Sequence, residues 1–201
     1  MSQASIIVQA ASLADAPALL ELQRAAFQQE AGLYQDPGIP PLRETLEELA
    51  AGFSNQVFLK AVLWPGEMLV GSVRVRLKDH TAYIGRLAVF PKFQRQGIGR
   101  VLMRSAEGHF EAARRFELFT GHRSVDNLAF YGRLGYKPFL RQRVSDRLTL
   151  VFLEKFVSSE PIPVVPSDSV ATTGDALSQT VSQNSGQAPA PASGGKPISS
   201  A

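Results

Sequence analysis

The chain contains no cysteine in its 201 residues. That excludes a disulfide framework, a thiolate nucleophile and a thiolate metal site. Histidine is almost as scarce: His80, His109 and His122 stand too far apart for metal-ligand spacing, so no metal is expected. No apolar run approaches the roughly 20 residues that span a bilayer, and the first residues lack the basic and apolar blocks of a secretory leader. Charge of one sign is also in short supply, since 21 Lys and Arg against 18 Asp and Glu leave a formal net charge of +3. The basic residues between Lys92 and Arg115 lack aromatic interleaving, so they read as a solvated helix face and not as a nucleic-acid surface. These absences together point to a cytoplasmic protein with neither a membrane nor a nucleic-acid partner. What is abundant is apolar: 44% hydrophobic residues can fill the core of one domain.

The stretch around which the chain is organised changes backbone state twice. Tyr83 to Phe90 is β-branched, aromatic and apolar, which predicts a buried strand ended by Pro91. Lys92 to Gln96 is polar and basic. Gly97-Ile98-Gly99 then opens a run with Ile98, Val101, Leu102 and Ala106 apolar, a helical spacing that carries on to about Ala113. A helix start of this kind leaves about four backbone N–H groups unpaired and favours an anion. Glycines at 97 and 99 let a diphosphate approach the backbone, and Gln94, Arg95, Gln96 and Arg100 add donors.

On either side, the pattern predicts alternating elements. A strand Ile6–Ala10 leads to a helix from Leu13 to about Glu30, a Pro/Gly-rich loop from Gly32 to Pro41 and a helix from Leu42 to Ala51. Gln56–Leu63 and Glu67–Leu77 form a hairpin about Trp64-Pro65-Gly66. After the glycine-led helix come a strand Phe116–Thr120, a helix Val125–Leu134 capped by Ser124, and an antiparallel pair, Tyr136–Arg143 and Arg147–Phe156. A strand-helix-strand unit of this length implies a right-handed crossover and parallel neighbours. From Val157 onward the chain holds six of its thirteen prolines and no aromatic residue, so 157–201 is expected to be a disordered tail after a domain at 1–156.

Two familiar phosphate loops fit poorly. A Walker loop needs Lys and Ser or Thr after its last glycine, where this chain has Arg100-Val101. The dinucleotide pattern has Leu102 where its third glycine should be, although Glu117 stands at the distance of a ribose-binding acid. The pattern that does fit is Leu87-Ala88-Val89-Phe90-Pro91 followed by Gln94-x-x-Gly97-x-Gly99, with Asn127-Leu128-Ala129-Phe130-Tyr131 and Leu134-Gly135-Tyr136 in order behind it. In these two blocks the chain resembles the GCN5-related N-acetyltransferases (GNAT), over roughly Ile6 to Phe156.

That resemblance implies a mixed α/β (α+β) fold: a largely antiparallel central sheet of about six or seven strands, about four helices on both faces, and a splayed pair of parallel strands. It also implies acetyl-CoA as co-substrate, held by Leu87, Ala88, Val89, Gln94 to Arg100 (with Arg95, Gln96, Gly97, Ile98 and Gly99 between) and Asn127. It implies transfer of the acetyl group to a primary amine of a small molecule or peptide by direct attack, with Tyr131 as general acid to the departing thiolate. Read from the residues alone, Tyr131 could equally be a core tyrosine beside Phe130. The strand Tyr83–Phe90 carries no acid, so the general base is open among Glu117, His122 and an ordered water. Tyr34, Arg86 and His122 are the candidate acceptor residues, Arg86 for a carboxylate. The alternative function is a non-catalytic acyl-CoA binding module on the same fold. Monomer and homodimer are both open.

Overall fold

The structure, a computed structural model, describes residues 5–157. A seven-stranded sheet runs in the order β1-β2-β3-β4-β5-β7-β6. Its strands are β1 (Ser5–Ala10), β2 (Val57–Trp64), β3 (Met68–Lys78), β4 (Thr81–Val89), β5 (Arg115–Gly121), β6 (Lys137–Arg143) and β7 (Thr149–Phe156). Five α-helices accompany them: α1 (Ala16–Tyr34), α2 (Pro40–Arg43), α3 (Leu46–Gly52), α4 (Ile98–His109) and α5 (Val125–Arg133). Every neighbouring pair is antiparallel except β4 and β5, which are parallel. The crossover through α4 makes them so, because only a connection of that length carries the chain back to start a parallel strand.

Alternation along β2 separates two cores. Leu59 and Ala61 face a cluster with Ile98, Leu102, Met103 and Ala106 of α4, and Phe58 faces Ala16, Leu19 and Leu20 of α1 and Leu49 of α3. Gly71 on β3 is what lets α4 seat closely. A Cβ there would lie 2.9 Å from Leu102 and 3.0 Å from Ile98.

Three boundaries differ from the sequence pattern. The first helix continues past Glu30 to Tyr34 and ends where Gln35 turns left-handed (φ 51°). Gly32 sits inside the last turn without breaking it, because Tyr34, 2% exposed, docks against the rest of the fold and holds the helix to its end. The single helix expected over Leu42–Ala51 is two short ones, parted by Glu44 in an extended conformation. Thr45 begins the second with a capping box: its Oγ1 accepts from Glu48 N and Glu48 Oε2 accepts from Thr45 N, at 3.1 and 2.8 Å. The glycine-led helix stops at His109, short of Ala113. The tail expected at 157–201 lies outside the described residues after Val157. No helix among the described residues is long and apolar enough to cross a membrane.

Candidate active site

β4 and β5 pair only over Thr81↔Arg115, Ala82↔Phe116 and Tyr83↔Glu117. From Ile84 onward they diverge, which leaves a slot between their C-terminal halves. On its other edge β4 stays bonded to β3, with Ser72 opposite Ala88 and Phe90 N donating to Val70 O at 3.0 Å. Antiparallel alternation therefore turns the backbone groups of Val89 toward the slot. Its carbonyl accepts from Gln94 Nε2 at 3.1 Å, so the N–H is the Val89 group left facing the opening.

The loop beyond β4 leads into the α4 N-terminus through two left-handed residues, Arg95 (φ 62°) and Gly97 (φ 85°). A Cβ on Gly97 would meet nothing within 4 Å, so the space above the first amides of α4 is open. Gly99 sits beside Phe130, whose Cζ would be in ordinary contact with a Cβ at 3.4 Å. The polar side chains of the loop mostly shape it. Arg95 pairs with Asp126 at 2.7 Å, and Gln96 Nε2 donates to Lys92 O at 3.2 Å.

α5 begins just after β5, with Ser124 as its N-cap. Ser124, Asn127 and Tyr131 stand three and four residues apart and share one face of the helix. Asn127 Nδ2 reaches Thr120 Oγ1 on β5 at 3.5 Å. The Tyr131 ring packs edge-on against Phe130 and Tyr136, with centroids 5.2 and 6.1 Å away. Its hydroxyl has no hydrogen-bond partner among the described residues, and burial, with the Glu30 charge behind it, holds its proton well above the ordinary tyrosine range. A neutral phenol is thus available at any physiological pH.

Two consecutive turns of α1 grip this helix start. Ser124 Oγ donates to Glu30 Oε1 at 2.6 Å, and Arg123 N donates to Tyr34 Oη at 2.7 Å. Burial raises the Glu30 carboxyl above its ordinary value, with the Ser124 hydrogen bond acting in the opposite direction. Pattern reading did not single out Glu30. The available signal was its i, i+4 spacing to Tyr34, hidden because the helix seemed to end there.

Arg86 sits where β4 bulges. Ser72 pairs with Ala88 and Arg74 with Gly85, so Val73 faces both Arg86 and Leu87, and Arg86 is left-handed (φ 52°). The bulge brings its guanidinium beside Glu44, with Nε 3.8 Å from Oε2, an ion pair too long for a hydrogen bond. Glu44 is already held by Arg74, whose Nη1 and Nη2 donate at 2.7 and 2.9 Å, and by Gln23 Nε2 at 2.6 Å. Burial works to raise the Glu44 carboxyl, but these hydrogen bonds and the two guanidinium charges outweigh it and hold the carboxyl below its ordinary value. Arg86 Nε is buried without a hydrogen-bond partner, beside an open groove of about 490 Å³ lined by Pro40, Arg43, Glu44, Glu48 and Arg86.

The two residues considered as bases are engaged elsewhere. Glu117 lies at the zipped end of β4 and β5, opposite Tyr83, and pairs with Arg115 at 2.7 Å. His122 Nδ1 accepts from Thr149 N at 3.1 Å, which places the proton of the neutral ring on Nε2.

A seven-stranded mixed sheet that parts at a parallel pair, beside a helix start with open amides, defines an acyl-CoA-type transferase fold. Residues 17–136, more than half of the chain, match the model of the acetyltransferase (GNAT) family, and the chain belongs to that family. It is 29% identical over 119 residues to the UPF0157 protein YqkA of Bacillus subtilis (strain 168); the match takes in 59% of this chain but only 34% of YqkA. The fold is also that of PaiA N-acetyltransferase from Thermoplasma acidophilum, solved in complex with coenzyme A (TM-score 0.65, 22% identity, 76% of this chain and 99% of that one). The ribosomal-protein-S18-alanine N-acetyltransferase of Escherichia coli is similar to the same degree (TM-score 0.65, 17% identity, 80% and 99% covered).

Proposed function

We propose that the protein transfers the acetyl group of acetyl-CoA to a primary amine of a small molecule or peptide by direct attack. The observation that carries this reading is the slot opened by the divergence of β4 and β5 after three residue pairs, followed by the open, glycine-led start of α4. The slot offers a pantetheine arm the backbone groups of Leu87 and Val89, and the α4 start offers a diphosphate its unpaired amides. The Val89 N–H polarises the thioester carbonyl. Tyr131, kept protonated by its surroundings, gives its proton to the sulfur as the C–S bond breaks. PaiA's complex with coenzyme A supports the choice of co-substrate. On the acceptor side, Arg86 lies beside the groove, and its Nε, ion-paired with Glu44, makes no hydrogen bond among the described residues, which favours an acceptor bearing a carboxylate.

The test is thiol release from acetyl-CoA across a panel of primary amines, each carboxylate-bearing member matched to its decarboxylated partner. Turnover with preference for the carboxylate member supports the reading. Thermal stabilisation by acetyl-CoA with no turnover on any amine would instead identify a binding module.

A further inference from the structure

The reaction needs a group that removes a proton from the incoming ammonium, and neither Glu117 nor His122 is free for it. We propose that Glu30 binds the ammonium of the acceptor amine and takes its proton. This rests on the acetyltransferase reading and adds to it the residue that prepares the nucleophile.

The placement follows from helix geometry. Glu30 meets Ser124, the first member of the stripe Ser124, Asn127, Tyr131 on α5. Helical side chains point back toward the N-terminus, so the Tyr131 ring, two turns further on, leans toward Ser124. The Glu30 charge adds to the burial that holds the Tyr131 proton, so the two groups lie within electrostatic reach of one another. Only one oxygen of Glu30 is used: Oε1 accepts from Ser124, and Oε2 has no protein partner among the described residues. Glu30 is half-buried, in the interval between bulk water and the core where a carboxylate attracts a cation strongly. Its raised proton affinity, caused by burial, moves it toward the range of a useful base.

The titratable and polar groups around it are few. Among the described residues, Ser124 bonds to it from the turn before α5, Tyr131 of α5 is within reach of its charge, and Tyr34 stands one turn further along α1, in ring contact with His122 at 5.8 Å and accepting from the backbone N–H of Arg123. The protons balance. Glu30 takes one from the ammonium, and the neutral amine attacks the thioester carbon. Tyr131 gives its proton to the departing sulfur and is reprotonated by the second proton lost from nitrogen. Glu30 then returns its proton to solvent, so one proton is released per acetyl transferred.

The variant that isolates the charge is Glu30→Gln, since the amide oxygen can still accept from Ser124. The expected result is an unchanged acetyl-CoA affinity by calorimetry, a kcat/KM lowered by about 10²- to 10⁴-fold, and loss of the acidic limb of the pH profile. Glu30→Asp should recover part of the rate. Ser124→Ala, which removes the hydrogen bond and keeps the carboxylate, should retain the limb. A Glu30→Gln enzyme that turns over like the wild type, limb included, overturns the inference while leaving the acetyltransferase reading intact. An acceptor-free readout runs alongside: the carboxyl ¹³C resonance that disappears in Glu30→Gln should shift when the wild type is saturated with coenzyme A. A resonance that does not respond, in a protein that calorimetry shows to bind coenzyme A, overturns the inference without any acceptor. Failure to bind coenzyme A at all removes the acetyltransferase reading and this inference with it.

Discussion

The phenol oxygen of Tyr34 accepts the backbone N–H of Arg123 at 2.7 Å, joining the end of α1 to the turn that starts α5. The contact is steric as well as polar, because the hydroxyl fills the space over Gly121. A Cβ on Gly121 would lie 2.1 Å from Tyr34 Oη and 2.5 Å from Cζ. This pair sets how the turn before α5 meets α1.

Gly121→Ala should therefore lower stability by overpacking, by about 1–3 kcal/mol. Tyr34→Phe leaves the Arg123 amide unpaired and costs about 1–3 kcal/mol by a different route. Denaturant melts of both variants check this. Tyr34→Phe should leave the m-value unchanged, and a wild-type midpoint in either variant would show that α1 and the α5 turn are not pressed together here.

Gly97→Glu should weaken acetyl-CoA binding by at least tenfold in calorimetry, because it puts a carboxylate into the open space over the α4 amides. The left-handed backbone adds a stability cost of about 1–2 kcal/mol. Gly97→Ala separates the two effects: it carries the backbone cost without the charge. If both variants bind acetyl-CoA as the wild type does, the diphosphate lies elsewhere.

Tyr131→Phe should lower kcat by about 10²- to 10⁴-fold with acetyl-CoA affinity nearly unchanged. The phenol is buried and unpartnered among the described residues, so losing its hydroxyl breaks no internal hydrogen bond. Stopped-flow measurement of thiol release separates the chemical step from binding. A fall in affinity with kcat intact would make the tyrosine a packing residue.

Glu44→Gln should destabilise the fold by about 3–5 kcal/mol at neutral pH, since it leaves the buried Arg74 and the half-buried Arg86 without their shared counter-charge. The pH dependence has a definite sign. The Glu44 carboxyl is held below its ordinary value of 4.5 in the folded state, so its contribution is complete above that pH and is lost as pH falls through the lower, folded value. The stability gap between wild type and Glu44→Gln should close under acid. A gap that widens there would contradict the charge assignment.

The glycine-led helix and the strand before it are legible because each is a local event: apolar strand, proline stop, basic loop, glycines, helical spacing; the parting of the strands came with the family resemblance. The seven strands follow from alternation and turns in the same way. What stayed hidden depends on partners far apart in sequence. Glu44 reads as one more polar residue on a helix until Arg74, on a strand 30 residues later, is brought against it. Thr45-x-x-Glu48 was the visible clue that the helix restarts, and a stronger apolar pattern masked it. The pattern puts Tyr34 in a loop because Gly32 suggests an end; the left-handed turn falls at Gln35 instead, once burial of Tyr34 pulls the helix onward. His122 reads either as a base or as a loop residue contacting backbone, and only the neighbouring strand, through Thr149 N, shows the backbone contact.

The parallel pair contributes only three rungs, so the sheet is mechanically two half-sheets, β1 to β4 and β5 to β7, meeting along a short seam. Helix α1 acts as a tie-beam across it, packed on β3 and β4 and fastened by Glu30 and Tyr34 to the turn after β5. An arm lodged in the slot replaces the missing rungs and couples the halves, so amide exchange in β5 and β7 should slow when the slot is filled, although no atom of those strands beyond the lip is touched.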